Sequence, residues 1–145
     1  MLKLTSDMVI GHQVIDDDHK ELIRIINQFL ITSKICLLVD GEFNGQHAAT
    51  MHMALTQLIA YGKQHFAREE KIQKECMYAY HEMHVAEHRA MMRHLEEMAR
   101  SYFVTKTKVI DRKSLDELNA FLKQWLFDHI LKFDTNMRDW VRQED

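Results

Sequence analysis

The chain of 145 residues contains no proline and only four glycines, Gly11, Gly41, Gly45 and Gly62. An all-β fold needs many more turn residues, so this scarcity points to long helices. Cysteine is also sparse. Cys36 and Cys76 make neither a disulfide framework nor a C-x-x-C site. A reducing, cytoplasmic setting is therefore expected, with both cysteines as small core residues. No apolar run approaches the roughly 18–20 residues that a membrane span requires. The start, Met1-Leu2-Lys3-Leu4-Thr5-Ser6-Asp7, lacks the apolar stretch of a signal peptide. The net charge is -3 and no basic run stands out, which argues against nucleic acid as a partner. The length fits one domain over residues 1–145, large enough for one substantial core.

Histidine is plentiful, with ten residues. Two pairs of metal-competent side chains stand at i and i+4: His65 with Glu69, and His84 with His88. At about 100° per residue, four steps return to the same helix face one turn on, so each pair shares a face. The segment between the pairs is long enough to reverse the chain. Two antiparallel helices then aim one carboxylate and three imidazoles at a common point.

Residues 1–15 read as an irregular arm that lays Met8, Val9, Ile10, Val14 and Ile15 across the fold. Asp16-Asp17-Asp18 offers N-caps and favourable charge for a first helix reaching about Leu38. Its stripe is Leu22, Ile25, Ile26, Phe29, Leu30 and Cys36 or Leu37, and His19 lies in its first turn on the inward side. A turn is expected over Val39–Gly45. The second helix, Gln46–Cys76, carries Met51, Leu55, Leu58, Ile59, His65, Phe66, Glu69 and Ile72 inward. Gly62 inside it costs roughly 1 kcal/mol against alanine; it either permits close helix approach or is simply tolerated. The third helix, Glu82–Tyr102, continues the His84 and His88 face with Met91, Leu95 and Met98. After a polar connection, Ser114-Leu115-Asp116-Glu117 reads as a capping box opening a fourth helix. That helix turns Leu115, Leu118, Leu122, Trp125, Leu126 and then His129 inward, and Asp134 follows five residues later. A short surface helix in Asn136–Asp145 packs Met137 and Trp140 back. The expected fold is all-α: an up-down-up-down antiparallel four-helix bundle with an N-terminal arm and a short C-terminal helix.

Antiparallel neighbours place residues equally far from their turn at equal height. With turns near about residues 42, 79 and 109, His19 and His65 lie about 23 residues either side of the first. Glu69 lies about 10 residues before the second, with His84 and His88 about 5 and 9 after it. His88 and His129 lie about 21 and 20 residues either side of the third. At about 1.5 Å per residue these heights agree to roughly one turn. Asp134 lies further along the fourth helix and reaches back if the helix end bends. Five imidazoles and two carboxylates facing one core are costly to bury without partners. Seven ligands are too many for one tetrahedral zinc. They suit two borderline transition metals bridged by the carboxylates, one with three histidines and the other with two and an open position. His12, His47, His52, His81 and His94 fall off this level and are expected to hold no metal. Glu70 and Glu87 are rotated about 100° from the ligands and are expected in solvent or behind them.

The pattern resembles the hemerythrin family, specifically its single-domain bacteriohemerythrins. The resemblance lies in Ile15-Asp16-Asp17-Asp18-His19, His65-Phe66-Ala67-Arg68-Glu69-Glu70, His84 with His88, and Trp125-Leu126-Phe127-Asp128-His129-Ile130 with Asp134. It covers almost the whole chain. It implies a hemerythrin-like domain with two non-heme iron ions, oxo- or hydroxo-bridged, that binds O2 reversibly. By position, His84, His88 and His129 hold one iron, His19 and His65 hold the open one, and Glu69 and Asp134 bridge. Similarity also implies that Ile15, Phe66, Trp125 and Leu131 line a dry O2 pocket. The chain departs from the family in three places. Tyr78-Ala79 stands where Tyr-Pro is common, the amino-terminal tryptophan is absent, and the third connection is longer. None of these removes a ligand.

The expected role is an oxygen carrier, store or supplier and not an enzyme. O2 is its ligand, a client protein that consumes O2 is a possible partner, and a monomer is expected. The alternatives are a di-iron enzyme acting on peroxide or nitric oxide, and a free-standing O2 or redox sensor. An enzyme needs a proton donor near the open position, for which Tyr61 and Tyr78 are the candidates. A ferritin-like oxidase is set aside because the Glu-x-x-His spacing it uses is missing.

Overall fold

A chain without proline forms helices that run uninterrupted. The computed structural model describes residues 1–38 and 45–143, and their side chains apart from those of residues 36–38. Helix α1 spans Gln13–Leu38, α2 Gly45–Glu75, α3 His81–Ala99, α4 Arg112–Lys132 and α5 Arg138–Val141. The first four pack as an antiparallel four-helix bundle. The expected turn over Val39–Gly45 and the inward placement of Cys36 or Leu37 fall almost entirely outside the described residues. None of the described helices is long and apolar enough to cross a membrane.

The three-to-four periodicity places the core where expected. Leu22, Ile25, Ile26 and Phe29 of α1 meet Met51, Leu55 and Leu58 of α2, Met91 and Leu95 of α3, and Leu115, Leu118, Leu122 and Leu126 of α4. Gly62 is buried at a close approach. A Cβ there would lie 3.2 Å from Met92 Cε and 3.7 Å from Trp125 Cη2. A second, smaller cluster of Ile10, Ile15, Tyr78, Met137 and Val141 closes one end of the bundle.

Several boundaries differ from expectation. Helix α1 begins at Gln13, before the three aspartates. Asp16 therefore does not precede the helix; from its first turn its carboxylate accepts from the backbone N–H groups of Ile10 (2.8 Å) and Gly11 (3.0 Å). Gly11 has φ +90°, a conformation open to glycine at little cost. In the arm, Met8 and Ile10 are buried, whereas Val9 and Val14 are exposed. The arm is tied to the far end of the chain: Arg138 Nε donates to Val9 O at 2.7 Å and Gln143 N to Gly11 O at 2.9 Å. Helix α3 ends in a π turn over Arg100–Val104. The cap of α4 is Asp111, whose carboxylate accepts from Ser114 N while Ser114 Oγ accepts from Asp111 N. Ser114 thus sits at the third helical position of that box and does not open it. Cys76 is half-buried and not a core residue.

Candidate metal centre

Five elements bring seven side chains to one point. His19 comes from the second turn of α1, His65 and Glu69 from one face of α2, and His84 and His88 from one face of α3. His129 lies in the last turn of α4. Asp134 is on the 3-10 turn Asp134–Met137, past the helix end. That loosening lets a carboxylate from beyond α4 return to the level of His129. All seven are buried.

The two carboxylates are shared between two sets of imidazoles. Glu69 Oε1 lies 2.8 Å from His84 Nε2 and 3.2 Å from His88 Nε2. Asp134 Oδ1 lies 2.9 Å from both His84 Nε2 and His129 Nε2. The second oxygens point the other way. Glu69 Oε2 is 3.1 Å from His65 Nε2 and 3.7 Å from His19 Nε2, and Asp134 Oδ2 is 2.9 Å from His19 Nε2. Two groups of potential ligand atoms result: Glu69, His84, His88, His129 and Asp134, and His19, His65, Glu69 and Asp134. Within each, the atoms lie within 4.8 Å of one another.

The donor set fits metal ions. All five Nε2 atoms and all four carboxylate oxygens are buried without a hydrogen-bond partner. An unsatisfied buried polar group costs about 1–3 kcal/mol, and nine at one point call for a common partner. The electrostatics agree. Burial disfavours charge on His19, but the Asp134 and Glu69 carboxylates outweigh it and push that imidazole up to about 10. His84 is pushed up to about 9 against the same opposition from burial, by the same two carboxylates. Burial alone would raise the Glu69 carboxyl, yet the imidazoles around it, His65 foremost, hold it well below the usual glutamate value. The site therefore strongly attracts positive charge.

The outer atoms of the imidazoles are held unequally. His65 Nδ1 lies 3.0 Å from Asp18 Oδ2. Asp18 also accepts two bonds from Arg68, both 2.8 Å, and one from Tyr61 at 2.7 Å. Burial opposes its charge, but the bonds from His65, Arg68 and Tyr61 hold its carboxyl far below the usual range. His88 Nδ1 is 2.8 Å from Glu70 Oε2, so Glu70 lies behind a candidate ligand. Such partners fix the tautomer and aim Nε2 inward. Asp18 escaped sequence reasoning, which took it for a helix cap. The available signal was its place beside His19 together with Arg68 and Tyr61 on the turns flanking His65.

Phe66 stacks on His88 with ring centres 3.9 Å apart, and Trp125 lies 6.1 Å beyond it. Ile15, Phe66 and Trp125 are buried. Leu131 is 43 % exposed, so it does not close a wall against water. None of His12, His52, His81 and His94 belongs to either ligand group. His52 stacks on Phe103, and His81 Nδ1 lies 2.9 Å from Gln73 Oε1.

Comparison with known proteins places this geometry. Residues 11–141 match the family model described as the hemerythrin HHE cation binding domain. A bacteriohemerythrin of Pseudomonas paraeruginosa is 32% identical over 137 residues, covering 94% of this chain and 79% of the relative. Bacteriohemerythrins of Stenotrophomonas maltophilia and Aquifex aeolicus are each 27% identical. They match over 98% and 87% of this chain and 82% and 86% of their own lengths. With the family model spanning nearly the whole sequence over a buried cluster of five histidines and two carboxylates, the chain belongs to the hemerythrin family.

Proposed function

We propose that this protein binds O2 reversibly at a non-heme centre of two irons, as an oxygen carrier, store or supplier and not as an enzyme. The observation that carries the reading is the division of the carboxylates: one oxygen of each lies among His84, His88 and His129, and the other lies towards His19 and His65. His84, His88 and His129 would hold one iron, His19 and His65 the other, and Glu69 and Asp134 would join them. Bound there, the irons supply electrons and one open position for a diatomic ligand. The protein's part is to aim the imidazoles and to keep the site dry. Asp18 and Glu70 hold the rings of His65 and His88. Ile15, Phe66 and Trp125 exclude water and protons, which would otherwise promote irreversible oxidation.

The tyrosines favour binding over catalysis. Tyr61 donates a hydrogen bond to Asp18. Burial, followed by Asp18, pushes that phenol up to about 12, so it holds its proton firmly. Tyr78 packs edge-on against His84, a member of the three-histidine set. Tyr61 is thus taken up behind His65 by Asp18, and Tyr78 lies beside the three-histidine set, so neither phenol is placed as the acid that an enzyme would need at the open position. The function is carried by one unit, residues 1–145, as a cytoplasmic monomer that passes O2 to a consuming client.

Cycling the reduced, iron-loaded protein between O2 and vacuum tests this reading. An optical band that forms with O2 and vanishes under vacuum over repeated cycles is expected. Irreversible oxidation in the first cycle, with turnover of peroxide or nitric oxide, would establish the enzyme instead. His19→Ala should deplete the two-histidine iron and His129→Ala the three-histidine iron. Unchanged iron content and spectrum in both variants would refute the assignment.

A further inference from the structure

The end of the bundle near the metal centre carries an aromatic chain that O2 binding does not use. Tyr78 is buried, with its ring centre 6.3 Å from that of His84. On its other sides lie Tyr80, at 5.8 Å, and Trp140 of α5, at 5.6 Å, both edge-on. These two rings reach solvent: Tyr80 is 57 % and Trp140 43 % exposed. One candidate ligand is thus linked to the surface through a single buried ring with two exits.

The other aromatic neighbours of the centre do not lead to an exposed tyrosine or tryptophan. From His88, Phe66 leads to Trp125, which is buried and donates its indole N–H to Met91 O. Beside His129 and His84 lies Phe133, which is half-buried but is a phenylalanine. Tyrosine and tryptophan are the aromatic side chains most easily oxidised. Their π orbitals therefore lie closest in energy to a transferring electron and mediate its passage best. Tyr78 lies between His84 and the two exposed rings and so serves as a bridge between them.

We propose that Tyr80 and Trp140 form an electron-entry site and that Tyr78 couples it to the metal centre, so that a one-electron donor in solution can restore the reduced, O2-binding state. The proposal rests on the redox-active metal pair argued above. The donor is of the reduced-flavin class. Each neutral flavin semiquinone gives up one electron and one proton and becomes oxidised flavin. The proton goes to solvent, the electron crosses to the centre, and two such steps return both metals from the +3 to the +2 state. No bond to the protein is made or broken.

The test measures how fast photogenerated flavin mononucleotide semiquinone reduces the fully oxidised, iron-loaded protein without O2. The double variant Tyr80→Leu with Trp140→Leu should slow reduction severalfold while iron content and the reversible O2 band stay unchanged. Tyr78→Leu should do the same, and Tyr78→Phe, which keeps a ring in place, should retain most of the rate. A second readout uses a photo-oxidant to take one electron from Trp140. The lifetime of the resulting indole radical should be shorter when reduced metal is bound and should lengthen again in Tyr78→Leu. Wild-type reduction rates in the double variant, or a radical lifetime indifferent to bound metal, would overturn the path alone. A protein that takes up no iron would overturn the function proposed above and the path with it.

Discussion

At the scale of single residues, the candidate centre depends on atoms one step behind the imidazoles. His65 leans on a carboxylate that is itself clamped by Arg68 and Tyr61, whereas His88 leans on Glu70, which no cation or phenol clamps among the described residues. Removing a hydrogen-bond partner behind a metal-ligating histidine typically costs about 10–100-fold in metal affinity. Asp18→Asn is therefore expected to weaken iron at the two-histidine side, and Glu70→Gln at the three-histidine side. Iron retained per chain after dialysis against a graded chelator separates the two effects. Equal retention in both variants and wild type would show that these contacts are passive. The Asp18 contact is also acid-resistant. Its carboxyl is held far below the usual aspartate value of 3.8, so its contribution is fully present above that pH. It is lost only as pH falls well below it.

At the scale of elements, an interrupted chain would have misaligned the ligands, so helix ends matter. Asp111 and Ser114 each satisfy an orphan N–H of the other at the start of α4, the helix that carries His129. Asp111→Ala removes the cap of α4 and should lower the melting temperature. Calorimetry would register it, and an unchanged melting temperature would contradict the cap assignment. The same element shows what a sequence does and does not disclose. The four helices and their inward stripes were legible because burial follows a 3.6-residue period, and Leu115, Leu118, Leu122 and Trp125 obey it. The capping residue was not legible, because aspartate and serine are equally good caps and here stand three residues apart. The heights of His19, His65, His84, His88 and His129 could be counted from the turns because helical rise is constant. The contact of Asp18 could not, because it depends on a side chain reaching across to α2. Leu131 was placed by resemblance alone, and it is 43 % exposed in the last turn of α4.

At the scale of the whole molecule, folding, protons and metal are linked. The arm, α5 and the turn Asp134–Met137 close one end of the bundle over the buried cluster. When no metal is bound, protons take its place: the carboxylates push His19 up to about 10 and His84 up to about 9, from an ordinary 6.5. Raised histidines stabilise the metal-free fold fully below pH 6.5, and that contribution fades as pH climbs through about 9 to about 10. Metal must displace those protons, so its apparent affinity rises over the same interval. Loading at neutral pH in buffers of different ionisation enthalpy should give apparent enthalpies that vary linearly with the buffer, with a slope that reports protons released. A slope of zero would contradict the account. The most direct test of the central claim is anomalous diffraction at the iron edge from iron-loaded crystals. The account predicts two iron peaks within one bundle, one ligated by His84, His88 and His129 and the other by His19 and His65. Glu69 and Asp134 should contact both. A single peak, or iron away from these seven side chains, would contradict it.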